Sequence, residues 1–241
     1  MIADPVRHLL RALVLAVAAA ACAHAAPPTR QAIEKACDDA DTAAQCERLL
    51  ETDQIRQFPG IAVRDGRVLK LKTRAGAPPV ELRDAGNPDD ESGADYRAHA
   101  FWDYWRERNV AVVSVMTQGT DYYLAVDLDR GTPLRLAAEP LLAPDGKRFV
   151  VADLCDKLCG NAIQVWRLDR DRLVQERSYK PAEKWYEADV AWRDASTLAI
   201  EYSVAAPRRR LADPGELVLV RAKPMLLKLS DPDWTIDEPR R

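Results

Sequence analysis

Two cysteines three residues apart, Cys155 and Cys159 in CDKLCGN, are the pair in this chain whose spacing most resembles redox or metal chemistry. On one helical turn their Cα atoms would lie ~6 Å apart, which suits either a disulfide or a two-thiolate clamp. Nothing in the local sequence supplies the third and fourth ligands that zinc requires. Lys157 is the one nearby cation that could favour a thiolate. A structural disulfide is therefore the reading for this pair, and no metal or cofactor is assigned.

Histidine filters the remaining chemistry. His8 and His24 fall in the leader described below, so His99 alone is left for any Ser-His-Asp or Cys-His arrangement, and no Gly-x-Ser-x-Gly occurs. His99 sits among aromatics in YRAHAFW, where a hydrogen-bonded structural role is expected. No catalytic residue is assigned. The acidic turn Asp127-Leu128-Asp129-Arg130-Gly131 begins like a calcium loop but carries Gly at the fifth position, so a β-turn is expected there. Asp89, Asp90, Glu91 and Asp95 read as a solvated loop. Among the aromatics, Trp185 and Tyr186 in KPAEKWYEAD lie outside the strand-like runs and are the candidate interaction surface.

The first residues carry Arg7 and Arg11, an apolar run from Leu13 to Ala23 and the small-residue close Ala23-His24-Ala25. That pattern is a secretory signal peptide over 1–25 with an A-x-A cleavage site. Lipidation at Cys22 is the weaker alternative, because Ala19-Ala20-Ala21 precedes it without Leu or Val at the third position upstream. Cleavage after Ala25 leaves 216 of the 241 residues and moves the formal charge from −3 to −4. A nucleic-acid partner is excluded on that balance. The expected location is the periplasm or the medium, with no transmembrane segment in the mature chain.

In an oxidising compartment the four remaining cysteines are expected in disulfides, and four allow three connectivities. Local pairing, Cys37–Cys46 and Cys155–Cys159, is the choice. Nine residues along one straight helix would separate Cys37 from Cys46 by about 13 Å, too far for a bridge. The chain must reverse between them, and Thr42-Ala43-Ala44-Gln45 supplies a capping box for a second helix. Residues 26–58 thus read as a helical pair, with Ile33, Cys37, Cys46, Leu49 and Leu50 facing one another.

From 59 to 230 the helical period gives way to about a dozen short strands at 8–12-residue spacing, the pattern of a sandwich, barrel or propeller. IAVRDGRVLKLKT reads as a hairpin turning at Asp65-Gly66. For SGADYRAHAFWDYWRER a helix capped by Ser92 competes with the strand reading. Internal comparison places Leu128 on Leu168 at a separation of 40 and Phe149 on Leu198 at 49, with LKLKTRAGAPPVEL as an earlier copy. Such periods suit propeller blades. Residues 231–241 read as a tail.

The segment LLAPDGKRFVVAD…NAIQVWRLDRD, Leu141 to Leu173, resembles a TolB-type β-propeller blade. Ala143-Pro144-Asp145-Gly146 matches its turn, in which Pro fixes φ, Asp bonds back to the backbone and Gly takes the positive φ. The order from paired cysteines to that blade is similar to a group of uncharacterised bacterial exported proteins. The resemblance implies a mainly β, propeller-like antiparallel meander with irregular or incomplete blades behind a disulfide-linked helical pair. The expected function is a non-catalytic protein-interaction module of the cell envelope, with an envelope or secreted protein as partner. The alternatives are an envelope hydrolase using carboxylates and an inhibitor or immunity protein against a secreted wall-degrading enzyme.

Overall fold

A computed structural model describes residues 35, 37–38, 40, 42–74, 77–87, 92–154, 159–169, 172–181, 184–186, 188–205 and 218–229, and the backbone of 234–237. Cys37 and Cys46 are bridged, with Cα atoms 4.7 Å apart. The reversal inferred from the spacing is therefore present. Lys35, Cys37 and Asp38 are helical, and helix α1 follows over Ala43–Gln57. Thr42 caps it, its hydroxyl accepting from the Gln45 N–H at 3.2 Å.

The strands of the described chain are antiparallel and form four sheets taken in chain order. The first holds β1 (Ala62–Asp65), β2 (Val68–Leu71) and β3 (Val80–Arg83). The second is a meander of β4 (Arg97–Trp105), β5 (Val110–Thr117), β6 (Tyr122–Asp127) and β7 (Thr132–Leu136). The third repeats it with β8 (Pro140–Leu142), β9 (Arg148–Asp153), β10 (Ala162–Leu168) and β11 (Leu173–Tyr179). The fourth runs β12 (Ala188–Asp194), β13 (Thr197–Ala205), β15 (Met225–Leu229) and β16 (Trp234–Asp237), with β14 (Leu219–Arg221) on the far end of β13. YRAHAFW is strand rather than helix. β16, within the expected tail, extends the fourth sheet through pairs such as Leu227 with Ile236.

Each sheet buries one face against the next. Leu69 and Leu71 of the first sheet meet Phe101, Val113 and Val115 of the second. Trp105, Val112 and Leu136 of the second meet Phe149, Val151 and Leu168 of the third. Val150, Ile163 and Val165 of the third meet Val190, Leu198, Ile200 and Leu227 of the fourth. At about 25 cal/mol per Å² of apolar surface these seams are the main source of stability. The sheets do not close into a barrel.

One bond recurs in all four sheets. The residue ending or following β2, β6, β10 or β15 donates its N–H to the residue just before β1, β5, β9 or β13 respectively: Lys72 to Ile61 (2.8 Å), Leu128 to Asn109 (2.9 Å), Leu168 to Lys147 (2.9 Å) and Leu229 to Ser196 (2.7 Å). Leu128 and Leu168, aligned in sequence, are thus equivalent in space, as are Phe149 and Leu198, both fully buried on the strand that opens at this bond. By the same equivalence β1 corresponds to β5, β9 and β13. Among the described residues the first sheet has no counterpart to β4, β8 and β12, and α1 takes that place in chain order.

The β1–β2 turn is one residue later than expected. Asp65 pairs with Val68, so Gly66 and Arg67 form the loop, and Gly66 has φ +55° while Arg67 does not turn positive. Glycine at the first central position is what a II′ hairpin asks for.

Candidate functional site

β4 is the edge strand of the second sheet, and side chains from α1, β1 and the end of β3 satisfy its open edge. Along that edge the backbone groups of Arg97, His99 and Phe101 face away from β5. Arg97 exchanges both bonds with Ala85, at 2.9 and 3.3 Å. The His99 N–H donates to Asp84 Oδ1 at 2.9 Å, and the Phe101 N–H donates to Glu51 Oε1 at 2.9 Å. The His99 carbonyl accepts from Arg48 Nη1 at 2.9 Å and Arg64 Nη2 at 2.5 Å. An unpaired edge is an aggregation hazard, and here it is covered by charge.

The same four side chains neutralise one another. Arg64 binds Glu51 through Nε at 2.9 Å and Nη2 at 2.6 Å, and reaches Asp84 Oδ2 at 3.3 Å. Arg48 bridges Glu51, at 3.1 Å, and Asp84. The Glu51 and Asp84 side chains are only 3% and 8% exposed. Burial by itself would raise the Asp84 carboxyl, but the His99 hydrogen bonds and the two guanidiniums outweigh it and hold it below the usual range. His99 is buried with Nδ1 3.1 Å from Asp84 Oδ1, the structural role expected of it.

Three elements converge to build this cluster. α1 places Arg48 and Glu51 one turn apart on the face toward β4. Alternation along β1 puts Arg64 on the inner face with Ala62. Alternation along β3 carries Val80, Leu82 and then Asp84 to that face. Phe58, just past α1, anchors the helix edge-on to Phe101 and Tyr104, with ring centroids 6.2 and 5.6 Å apart.

Beside the cluster lies a groove of about 610 Å³ between the first half of α1, the Gly66–Arg67 turn, Asp84–Ala85 and Tyr96–Ala98. Its floor is apolar, from Ala44, Leu49, Ala85 and Ala98, and its rim carries Arg48, Arg67 and Arg97. Leu49 is 49% exposed and lines the groove, while Ile33, expected to pack with it, lies outside the described residues. Gly86 is required at the corner: φ is +73°, and a Cβ there would stand 2.7 Å from Tyr96 Cα.

On the other side of α1, Glu47 Oε2 accepts from the Ser114 hydroxyl at 2.8 Å. Burial, reinforced by Asp121 and Glu51 and opposed by Ser114 and Arg48, pushes its carboxyl up to about 7. Nearby, Trp102 meets Tyr123 edge-on at 5.7 Å and donates from Nε1 to Glu139 at 3.0 Å.

The aromatic surface expected at Trp185 is corrected. Trp185 is 2% exposed and stacks on Tyr202 at 4.1 Å, with Tyr179 at 5.9 Å, in the seam between the third and fourth sheets. An irregular segment can bury a large ring when two strands leave a slot for it. Tyr186 is half-buried under Lys184, 5.5 Å from the ring centroid. In the Asp127–Gly131 turn the carboxylates serve the turn itself: Asp127 accepts from Asp129 N and Arg130, and Asp129 accepts from Asn109. Among the described residues no three His, Cys, Asp or Glu side chains are grouped to hold a metal. Cys159 is disulfide-bonded, while Cys155, Lys157, Asp89, Asp90 and Glu91 lie outside the described residues.

The cluster of Arg48, Glu51, Arg64 and Asp84 was not singled out from sequence, yet it left a signal. Arg64 and Asp84 are charges at inward positions of alternating strands, where an apolar side chain is the norm.

Comparison with protein-family models and with curated proteins finds no match to this chain. The class it defines by fold is a mainly β stack of antiparallel sheets led by a disulfide-pinned helix.

Proposed function

We propose that this chain is an exported, non-catalytic protein-binding module of the cell envelope, whose binding face is the groove between α1 and Tyr96–Ala98. The observation that carries the reading is the groove itself. It is open, floored by apolar side chains including the exposed Leu49, and set on a framework fixed by buried ion pairs and a disulfide. Binding sites of this kind sit on segments held by a rigid scaffold. Export draws on the leader-like first 25 residues. A disulfide, and the absence of any helix long and apolar enough to cross a membrane among the described residues, are compatible with it. The resemblance of Leu141–Leu173 to a TolB-type blade adds a scaffold type that serves binding in many settings.

The test is site-specific photo-crosslinking in intact cells from position 49, with position 81 on the outward row of the first sheet as control. A discrete partner linked from 49 and not from 81 is expected. Cross-links absent from both, or equal at both, would overturn the reading. A wall-degrading enzyme as the linked partner would make the module an inhibitor or immunity protein.

A second reading, a carboxylate-dependent hydrolase, is favoured by Glu47 alone, a carboxyl held near neutrality beside a serine hydroxyl. It predicts turnover of cell-wall fragments that Glu47→Gln abolishes; no turnover by the wild-type chain would remove it.

A further inference from the structure

We propose that the groove selects an acidic segment of its partner protein, an apolar side chain resting on Leu49 and Ala98 while flanking carboxylates meet Arg67 and Arg97. This rests on the protein-binding reading and adds the partner's chemistry.

Among the described residues that line the groove the charges are unequal: Arg48, Arg67 and Arg97 against Asp84. Asp84 is already committed, Oδ1 to the His99 N–H with Nδ1 close by, Oδ2 to Arg48 and Arg64. Arg48 is likewise spent on Glu51, Asp84 and the His99 carbonyl. The two rim arginines differ. Arg67 gives one N–H to the Gly86 carbonyl at 2.5 Å, which fixes the guanidinium while leaving further donors of its five. Arg97 is exposed, and its backbone is held by both bonds to Ala85. Each guanidinium therefore starts from a fixed base.

Ala44 and Gln45, in the first turn of α1, which holds no acidic residue, form part of the wall. A basic segment would be repelled. A purely apolar one would strip water from two guanidiniums without replacing it. An acidic segment with one apolar anchor meets both the floor and the rim, and a cavity of this volume accommodates a side chain with its neighbours.

A random dodecapeptide library displayed on phage, panned on the mature chain, tests this, with an Arg67→Glu/Arg97→Glu variant as counter-target. Both substituted side chains are exposed, and an unchanged thermal midpoint is the check that the variant folds. Enriched sequences should pair Asp or Glu with a central apolar residue, and synthetic copies should bind the variant at least tenfold more weakly by fluorescence anisotropy and weaken with salt. Enrichment of basic or neutral sequences, no enrichment, or equal affinity for the variant would overturn the proposal. Peptides that bind wild type and variant equally would leave the binding-module reading intact. Failure of the cross-link from position 49 is what removes that reading.

Discussion

Asp84 Oδ1 receives the His99 backbone N–H at 2.9 Å and lies 3.1 Å from the same residue's ring Nδ1. One carboxylate oxygen thus joins the end of the first sheet to the open edge of the second. Its other oxygen takes Arg48 and Arg64, so helix, first sheet and second sheet meet at a single buried group.

Removing one partner from this cluster should cost more than removing a surface ion. Glu51→Ala leaves the Phe101 N–H without its acceptor and Arg64 without its two-bond partner, in a site 3% exposed at the carboxylate, and should destabilise by about 3–5 kcal/mol. Arg48→Ala, at a side chain 36% exposed, should cost clearly less. Urea unfolding of both variants compares them directly, and equal midpoints would contradict the argument.

The pH dependence of stability has two limbs of opposite sign. Glu47 has a folded pKa of about 7 against an ordinary 4.5, so the folded state holds its proton more tightly. Stability from this group is full below 4.5 and is lost as pH rises from 4.5 through 7. Asp84, held below 3.8, contributes stability that is present above 3.8 and lost as pH falls through its lower folded value. Glu47→Gln should therefore flatten the fall in urea midpoint between pH 4.5 and 7 while leaving the acid limb in place.

The disulfide should matter to the groove as well as to the fold. On the loop-entropy account, closing the nine-residue span between Cys37 and Cys46 is worth about 3 kcal/mol. Ala40 and Ala44, inside that span, line the groove. The Cys37→Ser/Cys46→Ser variant should unfold at lower denaturant and yield less cross-link from position 49.

Trp185 and Leu49 should exchange the roles that their sequence contexts suggest. Trp185→Ala empties a stacked, buried site and should cost about 3–5 kcal/mol with loss of near-ultraviolet dichroism. Leu49→Ser should change stability by no more than about 0.5 kcal/mol and reduce partner capture.

Gly86→Ala should disturb the groove corner, since the residue needs both a positive φ and the space that Tyr96 Cα leaves. A change in the dichroism of Tyr96 or a lowered midpoint is expected; wild-type behaviour would show that the corner adjusts freely.

Local order was legible in the sequence because it is encoded locally. The Thr42 cap, the strand alternation, the Leu128 and Leu168 equivalence and the Cys37–Cys46 bridge each follow from spacing within a few residues or one repeat. The three-sided cluster and the groove were not, because Arg48, Arg64, Asp84 and His99 lie on four separate segments. Their charges announce only that something inward is unusual; which sheet edge they cover depends on how α1 and the first sheet pack beside β4. Trp185 was misplaced for the same reason: burial of a residue outside any strand is decided by the gap between two sheets. Periodicity and cysteine spacing are properties of the chain, so a mainly β protein of repeated sheets behind a bridged helix could be read from them directly. Which charges are buried and which leucine is exposed depend on what packs from elsewhere, so those features follow only from the fold.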